Sequence, residues 1–551
     1  MISIYRIIHD FFARSRHLIL LIPAASVVFI YSQDLSFEPT SWDDVKNIFS
    51  NPCLQKFSVE NIVTILTPGK IPEEQLYIPF TYMSYLLESG IFGLKSSVLH
   101  LDNILLHLLN VFLVFTFVQI IVRNRYAALA ACTLFAVHPL QVEAVAWCMG
   151  RKDLLMTSFS LLSLINFTYF VTVSSKKAYM LSLLFFFAAV FSKPSAFVLP
   201  IILPALFWYF DRKMDRESLS RLIPFFVISL IACLINSKLE MNAFGHELKF
   251  ILFRLVFIPS VSEDWLYRIL LVKNPEAYYS WYDYYDGSRI TLSGVVILLS
   301  FIAAGAYAYI RRLKIVFFGI FFLLVSFLPA AILVSWSFRD FITADRYGYF
   351  PLIGIFLIAG SAAEITSSRI YRTVFACALL LFTTISAWGA YRQASVWKNS
   401  ETLWKSVAAG SQYSFIAHYN LGNYYYRSKY DLKSAEFHYR KANSITPDSD
   451  AWYNLGIVCE LTERKDDSYV SYRRAVALNP NSEYAVKKFA LASYRKGDYE
   501  NALKQFLKLN ELAPSYPDAY YYCGKIFEGI GEKEMAAKAF GYFEKLKKQG
   551  Y

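Results

Sequence analysis

Apolar stretches separated by short polar turns recur along the chain as far as Tyr391 and stop there. A transmembrane helix needs about 20 predominantly apolar residues. By that measure the pattern predicts eleven spans, at 18–31, 99–122, 127–147, 154–173, 179–191, 195–210, 222–235, 291–309, 315–336, 349–363 and 373–391. Several are short. Pro139, Pro194 and Pro200 predict kinked or broken helices, because proline lacks a backbone donor and clashes with the preceding turn. Two longer connections, 32–98 and 236–290, interrupt the series. From about Ser406 onward the apolar runs vanish, and Ser428 to Tyr551 carries Lys, Glu, Asp and Arg at the density of a soluble domain. The expected fold is therefore all-α: a polytopic membrane helix bundle over 1–395, then a separately folded, water-soluble tail over 396–551.

Composition supports this division. Hydrophobic residues make up 56% of the chain and charged residues 18%, against about 25% charged in soluble domains. Much of the surface must face something other than water. A formal net charge of +12 would point to nucleic acid in a soluble protein. Here the basic residues gather between apolar stretches, which points instead to membrane orientation, and no nucleic-acid partner is expected. With the amino terminus placed in the cytoplasm, every inside connection is basic: Arg6, Arg14, Arg16; Arg123, Arg125; Lys176, Lys177; Arg212, Lys213, Arg216, Arg221; Arg311, Arg312, Lys314; Arg369, Arg372. The short outside turns hold fewer cations, chiefly Arg151, Lys152, Lys193, Arg339 and Arg346. An odd number of spans puts the tail and both long connections outside. Seven scattered cysteines, with no CxxC, give neither a zinc module nor a disulfide framework. The first apolar stretch lacks a small-residue cleavage pattern and is read as a retained helix.

The tail repeats itself at about 34 residues, the tetratricopeptide period. Leu421, Gly422, Tyr425, Ala435, Tyr439, Ala442 and Pro447 occupy signature positions, followed by Trp452, Leu455, Gly456, Tyr472, Ala475 and Pro480. Gly497, Tyr499, Ala502, Phe506 and Pro514 continue the series, and Tyr520, Gly524, Gly531, Ala536 and Phe540 end it. Small residues let paired helices approach, and large ones fill the gap. The pattern predicts four repeats at 415–448, 449–482, 483–516 and 517–551, preceded by a capping helix at 397–409. Such a solenoid presents a concave face to an extended peptide; oligomerisation is the alternative use.

Candidate chemistry lies on the outside. Asp43 and Asp44 follow Trp42 in the first long connection, ahead of Asn51-Pro52. Paired carboxylates there suit general-base work or metal binding, or else a helix start with an Asp capping free amides. The segment from His138 to Asp153 is denser, gathering Glu143, Arg151, Lys152 and Asp153 where a helix should leave the bilayer. Ionisable groups near membrane depth are costly and usually functional; a structural Glu143–Arg151 pair is the plainer reading. Asp340, Asp345 and Arg346 repeat the theme, and Lys193 beside Pro194 adds a cation. His100 and His107 share a helix face and are expected as hydrogen-bonded core groups rather than ligands. Acids and cations on one face suit a substrate with a departing phosphate and an attacking hydroxyl.

These residues resemble the transmembrane and tetratricopeptide-repeat O-mannosyltransferases and their shorter bacterial relatives. The matching motifs are Trp42-Asp43-Asp44 with Asn51-Pro52, Phe92-Gly93, His100-Leu101-Asp102-Asn103-Ile104-Leu105-Leu106-His107, His138 to Asp153, Lys193-Pro194, Ala344-Asp345-Arg346-Tyr347, and Phe350-Pro351-Leu352-Ile353-Gly354. The first-loop acidic cluster is shorter than in the family, and the repeats are fewer than in its eukaryotic members. The resemblance implies a membrane-embedded glycosyltransferase of the GT-C kind, with a catalytic Asp in the first outer loop. It implies a polyprenyl-phosphate sugar as donor and a Ser or Thr hydroxyl on a repeat-bound protein as acceptor. It also implies phosphate binding by Arg151, Lys152, Lys193 and Arg346 oriented by Glu143, with Asp153 and Asp345 in the same set. A divalent cation is left open, and so is the choice between Asp43 and Asp44. A short array favours a bacterial inner membrane with site and repeats on the periplasmic side; in a eukaryote this would be the endoplasmic reticulum lumen. The alternatives are a non-catalytic membrane-anchored scaffold and a transferase acting on a lipid or glycan acceptor.

Overall fold

The computed structural model describes residues 19–72, 76–244, 258–271, 277–280, 292–336, 341–362, 368–411 and 413–550. Arg6, Arg14, Arg16, Arg339, Asp340 and much of the second long connection lie outside the described residues. The chain divides into two compact units, Met1–Ser406 and Val407–Tyr551.

In the first unit, helix α1 (Leu21–Tyr31) leads into an irregular loop carrying α2 (Val59–Leu66) and α3 (Pro79–Phe92). There follow α4 (Ser96–Val122), α5 (Arg125–Val137), α6 (Val142–Ala146), α7 (Arg151–Val173), α8 (Lys176–Val190), α9 (Leu199–Tyr209), α10 (Arg216–Ser220) and α11 (Ile223–Phe244). The series continues with α12 (Ile258–Leu271), α13 (Leu292–Ile310), α14 (Lys314–Trp336), α15 (Leu352–Ser361) and α16 (Arg369–Ala394), and α17 (Ser400–Gly410) spans the boundary between the units. The expected eleven spans are not matched one for one. Among the described residues, five helices are long and apolar enough to cross a membrane: α4, α7, α11, α13 and α16. A sixth span is possible if α5 and α6, bent by 60°, count as one, and three shorter apolar helices accompany them. Protein covers 61–67% of the apolar windows of α4 and α7 but only 11% of that of α16. The first two therefore form the middle of the bundle, and α16 presents its apolar surface outward.

The bend at Pro139 sets up everything that follows. His138 is extended (φ −71°, ψ 131°), as steric conflict with a following proline demands, so α5 ends there. A short turn at Pro139–Gln141, the five-residue α6 and a second turn at Cys148–Gly150 return the chain to α7. Gly150 is required: a Cβ there would sit 2.3 Å from the Ala144 carbonyl oxygen. The result is a buried polar corner inside an apolar bundle. A two-stranded antiparallel patch, β1 (Tyr279–Ser280) with β2 (Phe341–Thr343), pairs Tyr279 with Thr343 and delivers Asp345 to the same corner.

The second unit is a tetratricopeptide-repeat array of four antiparallel helix pairs: α18 (Phe415–Tyr424) with α19 (Leu432–Ile445), α20 (Ser449–Leu461) with α21 (Lys465–Leu478), α22 (Glu483–Lys496) with α23 (Tyr499–Leu512), and α24 (Pro517–Gly529) with α25 (Lys533–Lys548). The glycine and aromatic periodicity has a direct cause. A Cβ on Gly422, Gly456 or Gly524 would fall 2.5–2.6 Å from the ring of Tyr439, Tyr472 or Phe540 respectively. Each ring lies on the partner helix and fills the space that the missing side chain leaves.

Candidate functional site

The loop after α1 brings up the two acids in different settings. Asp44 is buried, and both of its carboxylate oxygens are engaged: Oδ2 accepts from the Thr40 amide (3.0 Å) and hydroxyl (2.8 Å), and Oδ1 from the Met149 amide (3.1 Å). Asp44 therefore ties the loop to the turn before α7. It does not cap the helical turn that follows it, so the helix-start reading fails for this residue. Burial lifts its carboxyl to about 6, against the pull of those three donors. Asp43 is half-buried, and its side chain makes no hydrogen bond or ion pair with a described residue. Beside it, Trp42 stacks on Trp404 (5.1 Å between centroids) and meets Tyr278 edge-on (5.8 Å). The loop is fastened to the segment after α16 by Trp404 Nε1 donating to Ser41 (2.8 Å) and by the Ser41 amide donating to Ser400 (2.9 Å).

The cations sort themselves as clearly. Arg151 is enclosed: its guanidinium pairs with Glu88, donates to Asn103 Oδ1 (3.1 Å) and the Leu99 carbonyl (3.0 Å), and lies over the Tyr85 ring. The Glu143–Arg151 pair of the plainer reading is not formed. Glu143 instead pairs with the Arg346 guanidinium and also accepts from the Arg346 amide (2.8 Å). Lys193 pairs with Asp153, whose other carboxyl oxygen is buried without a partner among the described residues. Asp345 accepts from the Tyr279 hydroxyl (2.8 Å) and faces Arg268 (3.4 Å). Lys152 has no hydrogen bond or ion pair to a described residue. Its ammonium lies 4.7 Å from the Trp147 ring centre, and Arg346 lies 5.0 Å from the same ring.

Lys152 and Arg346 share the Trp147 ring, and Asp43, Asp153 and Lys193 lie within electrostatic range of Lys152. Arg346 and Lys193 both lie over the Tyr347 ring (5.1 and 5.3 Å). Sequence reasoning named the charged members but missed their supports. Glu88, the partner of Arg151, is the lone carboxylate of α3, and Arg268 sits on α12 with no motif around it. Trp147 lay inside the segment already singled out and had no charge to signal its part. His107 contacts the Tyr349 hydroxyl (2.7 Å) and the Ala136 carbonyl (3.3 Å), and His100 contacts Cys148. Among the described residues, no three His, Cys, Asp or Glu side chains are grouped to hold a metal ion.

Known proteins match both units. Models described as "TPR repeat" and "Tetratricopeptide repeat" match residues 490–531 and 449–482. Protein O-mannosyl-transferase TMTC1 of Homo sapiens is 24% identical over 64% of this chain and 46% of its own length. Protein O-mannosyl-transferase F38B6.6 of Caenorhabditis elegans is 25% identical over 54% of this chain and 42% of its own. The chain resembles the transmembrane and tetratricopeptide-repeat O-mannosyltransferases. It spans less than half the length of these curated relatives. A crystal structure of the Archaeoglobus fulgidus oligosaccharyltransferase overlays 78% of this chain and 59% of its own at 14% identity, with a TM-score of 0.38; at that score the overlay does not bear on the chemistry.

Proposed function

We propose that this membrane protein is a glycosyltransferase that moves a sugar from a polyprenyl-phosphate donor to Ser or Thr hydroxyls of an acceptor protein recognised by the repeats, on the non-cytoplasmic face. The observation that carries the proposal is the gathering of the cations Lys152, Arg346 and Lys193 around the Trp147 and Tyr347 rings, with Asp43, which makes no hydrogen bond to a described residue, in electrostatic range of Lys152. Asp43 is the base in this reading, because Asp44 is buried and already accepts three hydrogen bonds, from Thr40 and Met149. The acceptor hydroxyl oxygen bonds to the anomeric carbon as its proton passes to Asp43. The bond from that carbon to the phosphate oxygen breaks, and its electron pair leaves with the lipid phosphate. Lys152, having no carboxylate of its own, is the leading phosphate ligand, since a cation aimed at developing charge in a dry site lowers the barrier most. Arg346 and Lys193 flank it, held by Glu143 and Asp153. Arg151 is a positioning residue: by gripping Glu88 and Asn103 it fixes the first turn of α7, on which Lys152 stands.

The test is sugar transfer by purified protein from a polyprenyl-phosphate-sugar to a Ser/Thr-containing acceptor. Lys152→Gln should lower both donor affinity and turnover while the protein still melts like wild type. Absence of transfer from any lipid-linked sugar by the wild type would overturn the proposal and leave the scaffold reading.

A further inference from the structure

At the opposite end of α5 from the His138–Pro139 break lies a groove of about 700 Å³, walled by α5 and α16 and unconnected with the charged cluster. Small side chains create it. Ala127, Ala130 and Thr133 recur every third residue along the α5 wall, so they share one helix face. Gly360 of α15 closes the floor, where a Cβ would come within 2.4 Å of the Ala127 carbonyl oxygen. Across from them, Ala376 and Leu379 of α16 complete the trough. The groove is mostly apolar, with Thr133 and Thr383 among its lining residues, and is basic at one end. Arg372 lines that end with Asn124 and Tyr126, and Arg123 and Arg125 are exposed beside it. The Arg125 guanidinium donates to the Tyr126 hydroxyl (2.6 Å) and has no carboxylate partner among the described residues.

We propose that this groove binds an anionic phospholipid, one acyl chain lying between α5 and α16 and the phosphate resting on Arg372 and Arg125. Dimensions support that occupant. From Arg372 to Thr383, the two ends of the α16 wall, the helix rises about 16 Å at 1.5 Å per residue. That is about the depth of one leaflet of a hydrocarbon core roughly 30 Å thick. The arginines thus stand at headgroup level while the trough ends near mid-membrane. Charge selects the headgroup: an arginine near the membrane surface contributes about 1 kcal/mol toward an anionic lipid. Such a lipid would brace α16, whose apolar window is covered by protein over only 11% of its length.

The experiment uses the full chain in nanodiscs holding equal amounts of phosphatidylglycerol and phosphatidylcholine, with retained lipid counted by native mass spectrometry. Wild type should retain phosphatidylglycerol preferentially. Arg125→Gln and Arg372→Gln, both at exposed positions, should each reduce that preference about fivefold. Ala130→Phe should fill the trough and abolish retention of both lipids, leaving sugar transfer unchanged. Equal retention of the two lipids by wild type would overturn the proposal, as would undiminished retention by Ala130→Phe. Displacement of the lipid by millimolar inorganic phosphate would mean an ion site, and a dimer whose separation opens the groove would mean a second copy; either result also overturns it.

Discussion

Glu143 and Arg346, 203 positions apart, are joined twice, through the guanidinium and through the Arg346 backbone amide. The pair locks the turn after β2 onto α6. Both side chains are buried, and removing one partner of a buried pair strands the other charge. Arg346→Ala should therefore cost about 3–5 kcal/mol of stability in addition to lowering donor affinity. Glu143→Gln/Arg346→Gln should recover much of the stability and none of the affinity. Thermal melts in detergent, run alongside donor titrations, separate the two effects.

Asp43 and Asp44 should part company on mutation. Asp43→Asn should lower turnover about 10²–10⁴-fold with little change in melting. Asp44→Asn should instead destabilise by about 1–3 kcal/mol, because its amide nitrogen must face one of the donors that now meet a carboxylate. Wild-type turnover in Asp43→Asn would reject it as the base.

The same Asp44 gives a pH dependence. Its carboxyl is lifted to about 6 in the fold, above the usual value of about 4 in an unfolded chain. The folded state therefore holds this proton more tightly than the unfolded state. Its contribution to stability is present below about pH 4 and lost as pH rises through 6. Melting temperatures between pH 4 and 7 should show this loss in wild type and lack it in Asp44→Asn.

Residues 407–551 should fold alone. They form a compact unit whose core is one cluster around Tyr439, Leu455 and Val458 and a second running through Tyr472, Phe489, Phe506 and Cys523. Expressed from Ser406, the tail should be soluble, helical and cooperative in melting. Gly456→Ala should lower its stability by about 1–3 kcal/mol, since the added methyl meets the Tyr472 ring. An aggregated or non-cooperative product would mean that the repeats need the first unit.

Sidedness is tested by cysteines introduced at the exposed positions Ser50 and Ser515, with the exposed native Cys377 replaced by serine. A membrane-impermeant thiol reagent should label both from the non-cytoplasmic side. Labelling of only one would overturn the proposed orientation.

Periodicity alone determined the all-α architecture and the repeat array. Apolar runs and the recurring glycine and aromatic positions act over one or two helices, so the sequence displays them directly. The break at Pro139 was legible for the same reason: a proline acts on its immediate neighbours. Which charges meet was not legible. Glu143 pairs with Arg346 and not with Arg151, eight residues away, because Glu88 of α3 and Asn103 of α4 enclose Arg151 in the packed bundle. Two adjacent aspartates likewise became different groups only when Met149 folded back to donate to one of them. Ion pairing and burial depend on what lies nearby in space, and that was decided when helices distant in sequence packed around the corner at His138–Asp153.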